Sequence, residues 1–250
     1  MTSGHAAAEL ELVIDPDTVA RFGEVEVAAV AARGLAVVRD GLGASVARVV
    51  EEATAAVRDR FAAPEEVARD ERIDAWRQAI RACGLSASDV RSSPEQLVRR
   101  VLRDGDLPGD DPLVRAYCAL SAKHVAPLGA YDTDRLPART IALRPARPTD
   151  SFEPLGGPGR EMALEPRVIV YAAGDEVVCW AFNHRDSART ALLQETDRAV
   201  FIGEAVFPAH RPALAAAVAE LRDVLARHGA IIGETAVAAA GTPRVTLASP

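Results

Sequence analysis

The spacing of apolar residues changes from a helical period to a strand period about halfway along this chain. In the first half, apolar residues recur every three or four positions, as between Val46 and Val57, which predicts helices with one buried face. In the second half, short runs rich in Val, Ile and Phe are separated by turn residues, which predicts strands. A chain that places most of its helices before most of its strands is expected to form an α+β fold.

Capping residues define where several of these segments begin and end. Asp15 and Ser93 are each followed by a proline, which predicts two helix N-caps with proline at the first helical position. The predicted helices are PDTVARFG (16–23), GASVARVVEEATAAVRDRF (43–61), IDAWRQAIRACG (73–84), SSPEQLVRRVLRDG (92–105), DPLVRAYCALSAKHVA (111–126) and RPALAAAVAELRDVLARHG (211–229). The predicted strands are LELVID (10–15), VEVAAVAARGLAVV (25–38, interrupted by Gly34), RTIALRPA (139–146), RVIVYAAGDEVVCWAF (167–182, a hairpin) and RAVFIGEAVF (198–207).

No long linker and no repeat divides the sequence, so residues 10–230 are expected to form a single domain with a layered β-sheet core. Residues 140–207 should supply most of the β-layers, and the helices of residues 44–125 should pack on or beside them. We expect residues 1–9 to be disordered, because they are small and polar. Residues 231–250 are a low-complexity tail rich in Ala, Thr and Pro.

The charge balance limits the partners that this chain can bind. The 29 basic and 36 acidic residues leave a net charge of −7, so no global positive field attracts DNA, RNA or an anionic membrane. Three cysteines without a CxxC pair favour reduced thiols. The N-terminal segment has neither a basic region nor a long apolar run, and we expect a cytoplasmic protein without membrane contact.

Several familiar motifs are absent or incomplete. RDGLGAS (39–45) lacks the third glycine of a dinucleotide loop, so a glycine-rich turn before a helix explains it. The five histidines have no metal-ligand spacing, and no GxSxG elbow accompanies a serine. Cys179 lies in an apolar strand, where a thiol behaves as a small hydrophobic group. We therefore expect neither a cofactor nor a metal.

Three polar segments remain as candidates for function. FNHRDSART (182–190) follows a buried strand with an amide, an imidazole and guanidinium groups, and PLGAYDTDRLP (127–137) adds two carboxylates. The stretch that contains Arg91, Arg99, Arg100 and Arg103 is the most basic part of the chain. It is either a solvated helix face or a local patch for RNA phosphates, which arginine binds in bidentate fashion.

The order of these motifs resembles that of the free-standing B3/B4 domain proteins, relatives of the B3/B4 editing region in the β subunit of phenylalanyl-tRNA synthetase. The resemblance spans about residues 10–230 and implies a β/β/α order of layers. The positions that match are Trp76, Arg77, Ser93, Glu95, Ser121, Pro127, Gly129, Asp132, Asp134, Tyr171, Asn183, Arg185 and Thr190. The sequence departs from the pattern at Cys118, Ala126, Phe182 and His184, so its pocket should either prefer a different ligand or lack catalysis.

The resemblance implies a trans-acting editing domain that hydrolyses the ester of mischarged aminoacyl-tRNA without a metal or cofactor. In that interpretation Asn183 and Arg185 donate hydrogen bonds to the oxyanion and His184 steers the water. Either Asp132 or Glu204 then holds the substrate ammonium group. The other substrate-binding residues that we predict are Ser121, Gly129, Asp134, Tyr171 and Thr190.

Two alternatives stay open at this point. The same pocket would also suit a non-catalytic module that binds an amino acid or the 3′ end of RNA, or a hydrolase for another small aminoacyl compound. The acidic balance favours weak or partner-assisted binding of tRNA, and the sequence leaves the oligomeric state open. We expect Asn183, His184 and Arg185 to face one concave pocket shared with the Asp132–Asp134 loop, because donors at a strand end are costly to bury unpaired.

Overall fold

The computed structural model describes residues 9–157, 159–248 and 250. Within these residues the chain forms seven α-helices and two β-sheets, which confirms the predicted α+β class. All of the predicted N-terminal disordered segment except Glu9 lies outside the described residues. No helix in the described part of the chain has the length and the apolar character needed to cross a membrane.

The helices are α1 (Pro16–Arg21), α2 (Leu35–Gly43), α3 (Val46–Arg60), α4 (Glu71–Ala82), α5 (Ser93–Asp104), α6 (Pro112–His124) and α7 (Arg211–Arg227). The strands are β1 (Leu10–Ile14), β2 (Glu26–Arg33), β3 (Gly129–Asp132), β4 (Thr140–Pro145), β5 (Ile169–Ala173), β6 (Glu176–Trp180), β7 (Arg185–Asp186), β8 (Arg198–Ala205), β9 (Ile231–Ile232), β10 (Ala236–Ala239) and β11 (Arg244–Leu247).

The strands form an outer sheet in the order β11-β1-β4-β5-β6-β7 and an inner sheet in the order β10-β2-β8-β3. Strand β9 also pairs with β2. One apolar core lies between the two sheets, and a second lies between the inner sheet and helices α2, α3, α6 and α7. This arrangement is the β/β/α layering that the resemblance implied.

Residue alternation along β8 decides which side chains enter the space between the sheets. Val200 and Ile202 pack in the core between the sheets, whereas Phe201 packs in the core beneath the helices. Because side chains alternate along a strand, Glu204 shares a face with Val200 and Ile202. A buried carboxylic acid therefore points into an otherwise apolar layer.

The segment after β2 is helical and not the continued strand that we predicted. Gly34 adopts φ +80°, which ends the strand, and α2 begins at Leu35. Leu35, Val38 and Leu42 then bury one helical face against the inner sheet. The glycine-rich RDGLGAS stretch covers the end of this helix and a two-residue turn, Ala44 and Ser45, directly before α3, so a turn does precede a helix there as predicted, although it is shorter than the stretch.

Helix α5 begins one residue earlier than the predicted cap at Ser93 implies. Ser93 is its first residue, and Ser92 occupies the cap position without a side-chain hydrogen bond to the helix. Its C-terminus agrees with the sequence, because Gly105 has φ +74° in the left-handed region and ends the helix.

The low-complexity segment 231–250 belongs to both sheets, contrary to its description as a tail. Strand β11 pairs with β1 at one edge of the outer sheet, and β10 pairs with β2 at one edge of the inner sheet. Residues 140–207 supply the centre of the outer sheet and strand β8, while the two chain ends and β3 supply the rest. The prediction that residues 140–207 would form most of the β-layers is therefore only half right.

Candidate functional site

The turn between β6 and β7 has an unusual backbone. Ala181 and Phe182 are consecutive non-glycine residues in the left-handed region, with φ of 53° and 61°. Side chains with a β-carbon rarely adopt this conformation, which costs about 1–2 kcal/mol per residue. The turn is nevertheless closed by hydrogen bonds from the Phe182 amide to the Ile169 carbonyl (2.9 Å) and from the His184 amide to the Trp180 carbonyl (3.2 Å).

Burial of the Phe182 ring holds this turn in place. The ring is 1% exposed and makes edge-on contacts with Phe22 (5.2 Å between centroids) and Trp76 (5.6 Å). Full burial of such a side chain stabilises a fold by about 1.5–3 kcal/mol, which offsets the backbone cost. The next residue, Asn183, is thereby carried to the space between the sheets.

A small cavity of about 30 Å³ lies at this point, large enough for a water molecule. Its polar lining comes from the inward-facing residues of β3, β5 and β8, from the 181–184 turn, from β7 and from the first residue of α5. The lining residues are Ser93, Leu128, Gly129, Tyr131, Tyr171, Phe182, Asn183, Asp186, Ile202 and Glu204. Seven of the ten carry polar groups or are glycine, so a polar occupant fits the cavity.

Glu204 is the centre of the hydrogen bonding in this cavity. Its Oε1 accepts a hydrogen bond from Asn183 Nδ2 at 2.6 Å, and its Oε2 accepts one from the Tyr171 hydroxyl at 3.1 Å. The Ser93 amide donates to Asn183 Oδ1 at 2.8 Å, which fixes the orientation of the amide group. The second hydrogen on Asn183 Nδ2 remains free to bind another acceptor, because the amide carries two donors.

Burial raises the pKa of Glu204 to about 7, since a charged carboxylate is disfavoured away from water. The hydrogen bonds from Asn183 and Tyr171 oppose this rise, and the nearby Asp186 adds to it. A carboxyl group with this pKa exchanges its proton readily at neutral pH, which suits a general base or acid.

A second buried carboxyl group faces the same cavity. Tyr131 donates its hydroxyl to Asp186 Oδ1 at 3.1 Å, and the Cys179 thiol, another possible donor, lies near the same carboxyl group. Burial raises the pKa of Asp186, although both donors counteract the rise. Gly129 leaves the space that this network needs, because a β-carbon there would lie 2.8 Å from the Tyr131 hydroxyl oxygen.

The structure separates the predicted catalytic triplet. Only Asn183 lines the cavity; His184 packs edge-on against Trp180, and its Nδ1 lies 2.7 Å from the Arg91 carbonyl oxygen. Burial lowers the pKa of His184. Among the described residues, the exposed Arg185 side chain reaches only the Leu155 carbonyl, at 3.5 Å. The prediction that all three side chains face one pocket is wrong, because the left-handed turn sends them in different directions.

Asp132 and Asp134 do not reach the cavity either. Asp132 accepts hydrogen bonds from the Asp134 amide (2.9 Å) and from the Thr196 hydroxyl (2.6 Å), so both of its oxygens stabilise the turn after β3. The Asp134 side chain is 57% exposed and lies 4.0 Å from Arg198. The pocket shared with this loop, as we expected it, is therefore absent among the described residues.

Ser121 and Thr190 were predicted to bind substrate, but their contacts stabilise the fold. Ser121 donates to the Ala126 carbonyl at 2.7 Å, which closes the C-terminal end of α6. Thr190 is buried, and its carbonyl accepts the Asp132 amide at 2.9 Å. Of the predicted substrate-binding residues, the structure places Gly129, Tyr171 and Glu204 at the cavity with Asn183.

The sequence analysis missed Tyr131 and Asp186. Alternation along the GAYD strand was the available signal, because it places Gly129 and Tyr131 on one face and Asp132 on the other. No comparable signal marked Asp186, whose position depends on the pairing of β7 with β6. In the described part of the chain, no three His, Cys, Asp or Glu side chains come together as metal ligands.

Chemically, the cavity combines a proton acceptor with a hydrogen-bond donor. The acceptor is Glu204, and the donor is the remaining hydrogen of the Asn183 amide. A water molecule bound in the cavity beside these two groups could lose a proton to Glu204 as it attacks an electrophilic carbon. These are the elements of hydrolysis that proceeds without a nucleophilic side chain.

Comparison with solved structures shows a partial likeness to an N-terminal fragment of the phenylalanyl-tRNA synthetase β-subunit from Pyrococcus horikoshii. The two share 15% sequence identity at a TM-score of 0.42. The alignment covers 50% of this chain and 43% of the other. No curated protein matches the sequence.

The sequence model of the B3/4 domain family matches residues 75–222, which is more than half of the chain. The matched range contains most of α4, all of α5 and α6, the hairpin of β5 and β6, the 181–184 turn and β8 with Glu204. It therefore includes every polar residue that lines the cavity. The chain belongs to the B3/4 domain family.

Proposed function

We propose that this cavity hydrolyses the ester bond of mischarged aminoacyl-tRNA, and that the protein acts in trans on tRNA charged elsewhere. The observation that carries the proposal is a buried Glu204 with a pKa of about 7, held by Asn183 and Tyr171 beside a water-sized cavity. Membership of the B3/4 domain family, together with the resemblance of its motifs to the B3/B4 editing region of the phenylalanyl-tRNA synthetase β subunit, supports the substrate class.

In the proposed reaction, Glu204 removes a proton from a water molecule while the oxygen of that water bonds to the ester carbonyl carbon. The free hydrogen of Asn183 Nδ2 donates to the oxyanion that forms there. When the carbon–oxygen bond to the ribose breaks, the proton held by Glu204 passes to the leaving hydroxyl oxygen. The products are a free amino acid and uncharged tRNA, and Glu204 returns to its ionised form.

The role of Glu204 as the base predicts the pH dependence. We expect the enzymatic rate at limiting substrate to rise with pH and to level off above a midpoint near pH 7, because only the ionised carboxylate accepts a proton. The measurement is release of labelled amino acid between pH 5.5 and 8.5, after subtraction of spontaneous hydrolysis. A rate that is independent of pH across this range would contradict the assignment.

Replacement of Asn183 by alanine tests the site directly. We expect hydrolysis to fall up to about a hundredfold, the lower range for loss of one oxyanion donor. The pH midpoint should also move upward, because the Asn183 hydrogen bond lowers the pKa of Glu204. His184→Ala is the control with a smaller effect, since that imidazole lies outside the cavity. The assay measures deacylation of a panel of mischarged tRNAs.

The panel also separates hydrolysis from binding. Deacylation of at least one mischarged tRNA that falls with Asn183→Ala supports the proposal. Stable complexes with aminoacyl-tRNA, formed without any deacylation, would assign the cavity to a non-catalytic module that binds the aminoacyl end. The small cavity volume favours water over an amino-acid side chain as its occupant, which is why we place hydrolysis first.

A further inference from the structure

A cluster of arginines lies beside the cavity, around the N-terminal end of α5. Arg77 of α4 and Arg99 of α5 donate to Glu95 Oε1, at 2.7 and 3.0 Å, and Arg91 Nε lies 3.7 Å from the same oxygen. Glu95 is completely buried. One carboxylate thus faces three guanidinium groups, and the cluster carries an excess of two positive charges in a chain with a net charge of −7.

The cluster and the cavity are joined through the 181–184 turn. Ser93, two residues before Glu95, binds Asn183 on the cavity side, and the Arg91 backbone binds His184 on the other side. Arg185 follows directly in β7. Because the His184 ring contacts the Arg91 backbone and Arg185 is the next residue along the chain, both arginines flank one imidazole ring.

The side chains of Arg91 and Arg185 make few contacts that stabilise the fold within the described residues. The Arg91 side chain is 42% exposed and makes no hydrogen bond there, and its contact with Glu95 is longer than a hydrogen bond. Arg185 is exposed and has only a 3.5 Å contact with a carbonyl oxygen. A single arginine is sufficient to pair Glu95, so neutralisation of that carboxylate does not account for these two residues.

We infer that Arg91 and Arg185, backed by Arg77 and Arg99, form a binding site for the phosphodiester groups of an RNA strand whose 3′ end lies against the cavity. Guanidinium groups bind phosphate oxygens in bidentate fashion, and such contacts release counterions. The site lies on the far side of the turn from Glu204, so it holds the strand and leaves the reacting ester to the cavity. The inference rests on the proposed function for the identity of its partner.

The test compares Arg91→Gln/Arg185→Gln with wild type in the full chain. The control is Arg244→Gln, which removes a 59% exposed arginine from β11, at the opposite edge of the outer sheet from β7. The probe is an uncharged RNA hairpin with the sequence of a tRNA acceptor stem, and its affinity is measured by fluorescence anisotropy at several salt concentrations. Thermal unfolding confirms that each variant is folded.

We expect the double variant to bind the hairpin about tenfold more weakly and to show a shallower dependence of log K on log salt, by about 0.7 per lost contact. The control should bind as wild type does. Equal affinities and equal salt slopes for the double variant and wild type would overturn the inference.

A second substrate separates this inference from the proposed function. Aminoacylated adenosine has no phosphodiester, so the double variant should hydrolyse it at the wild-type rate while its rate on limiting aminoacyl-tRNA falls about tenfold. If wild type hydrolyses neither substrate but the double variant still loses hairpin binding, the phosphate site stands and the proposed hydrolysis fails. Equal loss on both substrates would place these arginines in the chemistry and would contradict a phosphate site.

Discussion

Glu204→Gln is expected to reduce ester hydrolysis by about 10²- to 10⁴-fold, the contribution typical of a positioned general base. Glutamine retains the size of the side chain and an oxygen that can accept from Asn183, so the cavity should keep its shape. The variant lacks only the carboxylate that takes the proton from water. Single-turnover deacylation of a tRNA that wild type edits is the measurement, and Glu52→Gln, 58% exposed on α3, is the control.

The same substitution is expected to stabilise the folded protein at alkaline pH. The pKa of Glu204 is about 7 in the folded state and 4.5 as the ordinary value, so stability falls as pH rises from about 4.5 to 7. Above pH 7, ionisation of the buried carboxyl group lowers the free energy of unfolding by about 3 kcal/mol. Glutamine does not ionise, so its advantage over wild type should be close to zero at pH 4 and largest at pH 8.

Chemical denaturation at several pH values measures this advantage. A Glu204→Gln variant that is equally stable relative to wild type at pH 4 and pH 8 would show that burial does not hold the carboxyl protonated. A variant that hydrolyses the ester at the wild-type rate would remove Glu204 from the mechanism. Gain of stability together with loss of activity would identify Glu204 as a group retained for function at the expense of stability.

Phe182→Ala is expected to have the largest effect on stability, a loss of about 3–5 kcal/mol. The ring is buried against Phe22 and Trp76, and its removal leaves a cavity in the layer between the sheets. Alanine also keeps the unfavourable left-handed conformation without the burial that offsets it. Urea unfolding followed by tryptophan fluorescence measures the loss, since Trp76 is in direct contact with the ring.

Ala181→Gly is the matched control for the backbone contribution. Glycine adopts φ of 53° without strain, and only one methyl group is removed, so the stability should change by less than about 1 kcal/mol. If Phe182→Ala costs no more than Ala181→Gly, the ring does not hold the turn. Phe182→Ala should also slow hydrolysis, because the turn positions Asn183 toward Glu204.

The elements with strong local signals agree with the sequence predictions. The 173–175 hairpin turn, the Asp15–Pro16 helix start and the Gly105 helix end each depend on residues that are neighbours in the chain. The sequence also nominated Asn183, Tyr171, Gly129 and Glu204, which do meet at one cavity. Gly129, Tyr171 and Asn183 came from the family resemblance, since no local pattern connects residues so far apart. Glu204 was named beside them as a carboxylate that could hold the substrate ammonium group.

The parts of the fold that the sequence did not predict depend on contacts between segments that are distant in the chain. The 231–250 segment has the composition of a tail, yet its strands β10 and β11 pair with β2 and β1, which lie more than 200 residues earlier in the chain. Backbone hydrogen bonding along an edge depends little on side-chain identity, so composition could not reveal this pairing.

Sequence alone therefore determined the α+β class, the capped helices and the presence of donors around residue 183. Tertiary structure decided which of those donors act together. The left-handed turn at Ala181 and Phe182 directs Asn183 inward and His184 and Arg185 outward, and strand alternation brings Tyr131 and Glu204 into the same layer. The physical reason is that a buried turn and two packed sheets orient side chains through contacts with Phe22 and Trp76, which are remote in sequence from the residues they position.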